Sequence, residues 1–345
     1  GGKHEEQREQ HEQHPRLSLG SHRVLPIWGL RIAPESLRLP TLSSMTSLAT
    51  ASLTAGGVAL IALAVRDIFE TLLHPEGRGP IARGAMGAVW SLCHLPMRRR
   101  SVLLAAGPLG LLLVVGVWAA LIVLGWALLL WPQLEEGFHV EGPGGTGFWD
   151  AVHLSLTNLT TLGSPEYVPI EDWLRVVAPL EALVGFGLLS ASISYLLLIY
   201  PALARRRSLA YELHLLQRAA RLEHDSHEQA DAAASERLYT ELTSRVVAVE
   251  RDLVALPVTY YFAESDERFS LAAASPFLMD IARRGSSIEG EERVRLRAQL
   301  LLQAIEDLAR TTAALFPRTR ADSTDAVFAA YARDHVVAGD GSSAS

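Results

Sequence analysis

Three long apolar segments alternate with polar ones along the chain. They cover residues 46–65, 109–131 and 173–200, and the second lies in a stretch, 102–131, that contains no charged residue. About 20 consecutive apolar residues are enough for a helix to cross the hydrocarbon core of a bilayer. The pattern therefore predicts three transmembrane helices in a membrane-embedded protein.

A fourth apolar run, residues 148–162, is too short to be another span. A helix of this length reaches only about 22 Å, whereas the hydrocarbon core is about 30 Å thick. The run therefore predicts a re-entrant helix, which enters the membrane and returns to the same side. Non-helical backbone at membrane depth is tolerated only where it is buried in protein or lines water, so the next residues should face a pore or cavity.

From residue 201 onward the apolar residues follow helical spacing in a polar background. Two series alternate steps of four and three residues: Leu242, Val246, Val249, Leu253 and Leu256, and then Val294, Ala298, Leu301, Ile305, Leu308, Thr312 and Leu315. This spacing predicts a helical domain over residues 205–337, followed by a disordered tail, 338–345. The second series packs either within the chain, which is the default expectation, or against another subunit.

The first 44 residues show no sustained periodicity and begin without methionine. We interpret residues 1–44 as a disordered or over-extended N-terminus, with Met45 as the expected start. Residues 45–101 then contain the first transmembrane helix and a linker.

The charge distribution predicts the orientation in the membrane. The chain has 345 residues, with 31 Lys+Arg against 38 Asp+Glu and a net charge of −7, which argues against a nucleic-acid partner. No Lys or Arg lies between Ser101 and Leu174, whereas arginines cluster in the linker before this stretch and at 205–207 after the third span. Since positive loops stay inside, we predict a multi-pass protein of the cell membrane with its N-terminus outside and its C-terminal domain in the cytoplasm.

Several patterns that suggest chemistry fail on their context. The single cysteine, Cys93, excludes an intrachain disulfide. The glycine-rich run 142–147 follows no strand and contains proline, so it does not predict a dinucleotide site. His224 and His227 have no evident third metal ligand. We therefore expect neither enzymatic activity nor a cofactor.

One part of the chain resembles a known family. The sequence FWDAVHLSLTNLTTLG, a short acidic link and WLRVVAPLEALVGFGLLSASISYLLL resemble the pore module of bacterial potassium channels. The resemblance covers roughly residues 102–205 and implies an ion channel pore module over 102–204. It implies an all-α membrane protein that forms a homotetramer in the lipid bilayer and passively conducts potassium or other monovalent cations.

The resemblance places the selectivity filter on Thr161, Leu162, Gly163, Ser164 and Pro165. The carbonyl oxygens of the first three would hold potassium transiently. Pro165 stands where the family has a glycine with positive φ, but proline is fixed at a φ of about −65°. Ser164 also lacks the aromatic ring of the family. We expect only the inner half of the filter to keep its geometry, with a potassium preference on the order of 1 kcal/mol. The alternatives are a weakly selective cation channel and a non-conducting membrane sensor or scaffold.

Residues behind the filter are expected to support it. A carboxylate facing lipid would cost about 2–3 kcal/mol or more, so Glu181 in the third span should face protein or water. We expect it to support the re-entrant helix through hydroxyls such as those of Thr157 or Thr160, or through filter amides. A protonated Glu181 with a local backbone partner and direct lining of the pore remain the alternatives.

Two further groups have expected roles in conduction. Gly185 and Gly187 are either a gating hinge or small residues that permit close helix packing. Glu166, Glu171 and Asp172 follow the filter in an acidic stretch and are expected to form an outer mouth that concentrates cations.

Overall fold

The computed structural model describes residues 42–72, 79–94, 100–142, 144–223 and 232–335. The sequence up to residue 41, the pair His224 and His227, and the C-terminal tail lie outside these ranges. The interpretations of those segments therefore stay predictions.

The described residues are almost entirely helical. The helices are α1 Leu42–Leu72, α2 Pro80–Cys93, α3 Arg100–Leu130, α4 Phe148–Leu159, α5 Asp172–Glu223, α6 Ala232–Ala255, α7 Leu271–Ser286, α8 Glu292–Leu315 and α9 Thr324–His335. Two short strands, β1 Phe138–Val140 and β2 Tyr167–Pro169, pair antiparallel on either side of α4 in the sequence.

Among the described helices, three are long and apolar enough to cross a membrane, as the hydropathy pattern predicts. The candidate spans are Ser47–Leu72, Val102–Gln133, which runs three residues past the end of α3, and Asp172–Arg221. The all-α membrane fold is therefore confirmed. The third helix is much longer than its apolar segment and crosses the expected domain boundary at 204/205 without a break. Beyond the apolar segment it continues because Leu203, Leu209 and Leu213 are buried in the protein core.

Glycines let α1 and α3 approach closely. A Cβ added to Gly125 would lie 2.7 Å from Cγ1 of Ile61 and 2.8 Å from the carbonyl oxygen of Gly57. In a membrane, where lipid is as apolar as the side chains, such close backbone packing is a main source of helix association.

A buried carboxylate connects α1, α2 and α3. Asp67 accepts hydrogen bonds from the amides of Ile81 at 2.8 Å and Ala82 at 3.2 Å, in the first turn of α2. It also accepts one from the indole of Trp118 on α3, at 2.8 Å. Negative charge at a helix N-terminus is favourable. The buried carboxylate of Asp67 therefore pairs with amides of the first turn of α2 that have no acceptor within the helix.

The apolar series of the C-terminal region pair with each other inside one chain. Leu242 and Val246 of α6 are fully buried, as are Ala298, Leu301 and Ile305 of α8. All five belong to one hydrophobic cluster that also includes residues of α7 and α9. The apolar series on α8 therefore packs within the chain, which was the default expectation.

Helix α2 is bound to the C-terminal domain through Asp334 on α9. The carboxylate accepts hydrogen bonds from the indole of Trp90 on α2, at 2.9 Å, and from the hydroxyl of Tyr260, at 2.6 Å. His94, just after α2, lies 2.9 Å from the carbonyl oxygen of Asp334. Trp90 itself is 2% exposed, so this end of α2 is part of the domain core.

The neighbouring histidine predicts a loss of stability in acid. His335 lies with its ring nitrogens 2.7 Å from the carbonyl oxygen of Tyr260 and 3.0 Å from that of Tyr331. Burial lowers the pKa of His335 to about 4, against the opposing effect of the Tyr260 carbonyl. The unfolded chain, with an ordinary histidine pKa of 6.5, binds the proton more readily, so stability is lost as the pH falls from about 6.5 towards 4.

We expect the melting temperature of the purified protein to fall by several degrees between pH 7 and pH 5. His335→Gln should flatten this dependence because the amide cannot take up the proton. His139→Gln, at an exposed histidine of β1, is the matched control and should keep the wild-type slope. An unchanged slope in His335→Gln would contradict this assignment.

Candidate functional site

Helix α4 is a short helix held between α3 and α5. It has 12 residues, which span about 18 Å and fall short of a membrane core. Its N-terminus is fixed by Asp150, whose carboxylate accepts hydrogen bonds from the amides of Gly147 at 2.9 Å and Gly145 at 3.3 Å. The helix ends at Leu159, before the apolar run does, so Thr160, Thr161 and Leu162 are not part of it.

The backbone after α4 is bound to the last turn of that helix. The amide of Thr161 donates to the carbonyl oxygen of Asn158 at 2.9 Å. The amides of Leu162 and Gly163 both donate to the carbonyl oxygen of Thr157, at 2.9 and 3.0 Å. Thr157 thus contacts the expected filter through its carbonyl group.

The same segment contains two residues with left-handed backbone. Thr161 has φ 60° and Gly163 has φ 73°, with Leu162 between them. Within the described ranges Thr161 is the only residue other than glycine with positive φ. A left-handed conformation costs an ordinary residue about 1–2 kcal/mol, and such strain concentrates at functional sites.

The carbonyl oxygens of this segment are available for a ligand. No residue in the described part of the chain donates a hydrogen bond to the carbonyl oxygens of Thr161, Leu162 or Gly163. The side chain of Leu162 is 80% exposed in the single chain. Backbone carbonyl groups held in this way can replace the hydration shell of a cation.

Ser164 and Pro165 leave this pattern and form a turn. The amide of Tyr167 donates to the carbonyl oxygen of Ser164 at 3.4 Å, and the chain then enters β2. Neither Ser164 nor Pro165 has positive φ, as expected from the fixed φ of proline. The left-handed positions thus end at Gly163, and the next residues lead into the small sheet.

Glu181 lies behind α4 and is fully buried. Its carboxylate contacts the hydroxyl of Ser155 and, at 3.3 Å, the amide nitrogen of Asn158. Ser155 also lies 3.1 Å from the carbonyl oxygen of Val123 on α3. This small polar group therefore joins α3, α4 and α5 at one point.

The prediction that Glu181 binds the hydroxyls of Thr157 or Thr160 is wrong. Their hydroxyls donate instead to carbonyl oxygens of α4 itself, those of Leu154 at 2.9 Å and Leu156 at 2.8 Å. Hydroxyl groups near the end of a helix commonly bond the carbonyl three or four residues earlier. Ser155 and Asn158 are three residues apart and therefore share the face of α4 that meets α5. This spacing is visible in the sequence and could have identified them as the partners of Glu181.

Removal of the Glu181 carboxylate should destabilise this helix contact. We expect Glu181→Ala to cost about 1–3 kcal/mol, because it leaves buried polar groups of Ser155 and Asn158 without a partner. Glu181→Gln can still exchange hydrogen bonds with both and should retain most of the stability. Thermal unfolding in detergent measures the difference, and equal losses in the two variants would show that these hydrogen bonds are not the cause.

The two glycines of α5 differ in their surroundings. A Cβ added to Gly185 would overlap the carbonyl oxygen of Leu159, the last residue of α4, whereas a Cβ added to Gly187 meets nothing within 4 Å. Gly185 therefore lies where the backbones of α4 and α5 touch. A hinge at Gly187 stays a prediction.

The three carboxylates of the expected mouth follow the turn. Glu166 is half-buried beside the sheet, where its carbonyl oxygen accepts the amide of Glu141 at 2.8 Å. Glu171 and Asp172 are exposed at the start of α5. Arg175 approaches Asp172 to 3.4 Å, so one of the three charges is partly offset by a cation just beyond the acidic stretch.

Comparison with known proteins points to the same part of the chain. Residues 110–200 match a family model described as "Ion channel". The uncharacterized membrane protein YdjJ of Bacillus subtilis (strain 168) is 24% identical over 224 residues, which cover 63% of this chain and 64% of that protein. The chain thus matches slightly less than two thirds of the length of this relative. No solved structure matches the chain. Residues 110–200, which contain α4 and the carbonyl segment that follows it, are therefore similar to the ion channel family.

Proposed function

We propose that this protein is the subunit of a homotetrameric cation channel in the cell membrane that conducts potassium passively. The observation that carries the proposal is the pair of left-handed residues, Thr161 and Gly163, around Leu162. Alternation of backbone conformation lets successive carbonyl groups line one path, and their oxygens accept no hydrogen bond from the described residues. A ring of such segments from several chains would replace the hydration shell of an ion.

The tetramer is proposed because each chain holds one such segment, and a closed ring around an ion needs several copies. Helix α5 supports this assembly with a row of exposed apolar side chains: Val176, Leu183, Phe186, Leu189, Ile193 and Leu197. In a membrane protein these side chains contact lipid or neighbouring subunits. Leu162 is also exposed in the single chain and would be covered by the assembled ring.

The proposed orientation places the acidic stretch outside and the C-terminal domain in the cytoplasm. The stretch between Ser101 and Leu174 contains no Lys or Arg, and Arg205, Arg206 and Arg207 follow the apolar part of α5. These three arginines pair with carboxylates of the C-terminal domain: Arg205 with Asp252 at 2.7 Å, and Arg206 and Arg207 with Glu264 at 3.0 and 2.8 Å. Their position still follows the positive-inside rule.

A weakly selective cation channel is the second candidate, favoured by the turn at Ser164 and Pro165. The turn ends the carbonyl row at Gly163, so fewer rings of oxygen are available to distinguish potassium from sodium. For the proposed potassium channel we expect a preference of a few-fold, or about 1 kcal/mol, whereas the second candidate would show less.

Recording from purified protein in planar bilayers tests the proposal. In a potassium/sodium gradient we expect cation current whose reversal potential shows a modest potassium preference, and native mass spectrometry should find mainly tetramers. A reversal potential that follows the anion gradient would contradict the proposal. Absence of current, or a monomer or dimer as the main species, would favour the non-conducting sensor or scaffold.

A further inference from the structure

We propose that Tyr167 is the positioning residue that fixes the outer end of the filter segment 161–163. The inference rests on the proposed function, because it assigns to Tyr167 a part in cation selectivity. Three features support it: the contacts of the ring, the hydrogen bonds that hold the chain on both sides of Gly163, and the loop that passes over the tyrosine hydroxyl.

Tyr167 is bound to the start of α4. The residue is 5% exposed, and its hydroxyl donates to the carbonyl oxygen of Gly145 at 3.1 Å. The same hydroxyl lies 3.5 Å from Oδ1 of Asp150, the carboxylate that fixes the amides of Gly145 and Gly147. The tyrosine is therefore attached both to the loop before α4 and to the group that caps the helix.

The glycines of this loop leave room for the ring. A Cβ added to Gly144 would lie 2.7 Å from Cγ1 of Val140 and 3.1 Å from the hydroxyl oxygen of Tyr167. The ring packs in a hydrophobic cluster with Ala151 and Leu154 of α4 and with Leu174 of α5. Tyr167 is thus packed against α4 on one side and against the glycine loop on the other.

The link from Gly163 to Tyr167 is short and constrained. It contains only Ser164, Pro165 and Glu166. Pro165 has a fixed φ, the carbonyl oxygen of Ser164 accepts the amide of Tyr167, and the carbonyl oxygen of Glu166 accepts the amide of Glu141. Within the filter segment the amide of Thr161 binds the carbonyl of Asn158, and the amides of Leu162 and Gly163 bind that of Thr157. Beyond Gly163 the chain is held by this link to Tyr167.

The surroundings of the Tyr167 hydroxyl favour its protonated, donating form. Burial is the main cause that raises the pKa of Tyr167 above its usual value, and the charge of Asp150 adds to the effect. The contact with Gly145 therefore persists as a hydrogen bond. Ser164 has no ring to support the segment directly, so the tyrosine three residues later supplies the support from the adjacent strand.

Two substitutions at Tyr167 distinguish the contribution of the ring from that of the hydroxyl. Tyr167→Phe keeps the packing and loses the donor, and Tyr167→Leu loses both. Tyr239→Phe, at a buried tyrosine of α6 in the C-terminal domain, is the matched control. The first measurement is hydrogen exchange of the full-length protein in detergent, followed at the amides of Leu162 and Gly163. The second is the reversal potential in a potassium/sodium gradient.

We expect exchange at Leu162 and Gly163 to be several-fold faster in Tyr167→Phe and faster still in Tyr167→Leu, with no change in Tyr239→Phe. The reversal potential should shift towards that of sodium in the same order. Unchanged exchange at these two amides in both variants, or faster exchange confined to β2, would overturn the inference. If Tyr167→Leu does not assemble, Tyr167→Phe decides. If the wild type carries no current, the proposed function fails, and the exchange measurement still decides whether Tyr167 positions the segment.

Discussion

Gly185→Ala is expected to abolish ion current, whereas Gly187→Ala should leave it unchanged. The methyl group at position 185 would overlap the carbonyl oxygen of Leu159, the last residue of α4, two residues before the carbonyl segment. Backbone cannot yield as a flexible side chain does, so α5 and α4 must move apart. Overpacking of this kind costs typically about 1–3 kcal/mol, and in the proposed homotetramer each chain would bear the cost. Current in planar bilayers and tetramer content by native mass spectrometry measure the result.

The paired variant distinguishes the two interpretations of these glycines. A methyl group at position 187 meets nothing within 4 Å and stabilises a helix relative to glycine by about 1 kcal/mol. If close packing is the function of Gly185, only the first variant fails. Normal current in Gly185→Ala would show that this helix contact is not needed, and altered gating in Gly187→Ala would favour a hinge at that position.

Gly163→Ala is expected to remove most of the discrimination between potassium and sodium. Gly163 has φ 73° and, in the single chain, open space around its Cα atom, so within the chain the effect of a methyl group comes from the backbone conformation. A left-handed alanine costs about 1–2 kcal/mol in each chain. This is comparable to the expected selectivity of about 1 kcal/mol, so the carbonyl groups of Leu162 and Gly163 should turn away from the ion path.

Gly290→Ala is a matched control for this change. Gly290 lies between α7 and α8 with φ 89°, and a Cβ there also meets nothing within 4 Å. The backbone cost is therefore similar, but the site lies far from the filter in sequence and in another part of the fold. We expect Gly290→Ala to lower the melting temperature and to leave the reversal potential unchanged. A wild-type reversal potential in Gly163→Ala would contradict the assignment of this segment as the filter.

The sequence predicts the spanning helices because sustained hydropathy along a single segment is a strong, local signal. It missed α2, whose apolar residues Ala82, Met86, Trp90 and Cys93 follow helical spacing over only 14 residues. The helix start was signalled by Pro80 at the first position. A short amphipathic helix flanked by arginines has the composition of an ordinary polar linker, so its hydropathy does not distinguish it from one. Its burial depends on a hydrogen bond from Trp90 to Asp334, which lies near the opposite end of the chain.

The resemblance places Thr161, Leu162 and Gly163 in one segment after a short helix, and their role as a filter stays a prediction. The expected partners of Glu181 were wrong for a physical reason. The partners of Glu181 depend on the rotation of α4 about its axis, which a single sequence does not determine at that precision. The pairing of β1 with β2 was also missed, because strands of three residues show no alternation. Without that pairing, Tyr167 carried no signal beyond its aromatic ring.

Helix α5 runs from the contact with α4 into the C-terminal domain, and Pro201 lies inside it directly after Tyr200, where a helix can bend. Glu181, against α4, lies on one side of Tyr200 along the helix, and Leu213, in the core of the C-terminal domain, lies on the other. At the rise of an α-helix, the arms from Tyr200 to these two residues measure about 28 Å and about 20 Å. If the helix tilts about the end of its apolar segment, each ångström of movement at Leu213 displaces the Glu181 contact by about 1.5 Å in the opposite direction. A displacement of that size exceeds the tolerance of a hydrogen bond, so a tilt of α5 as one rigid body would carry a movement of the C-terminal domain to the helix that precedes the carbonyl segment.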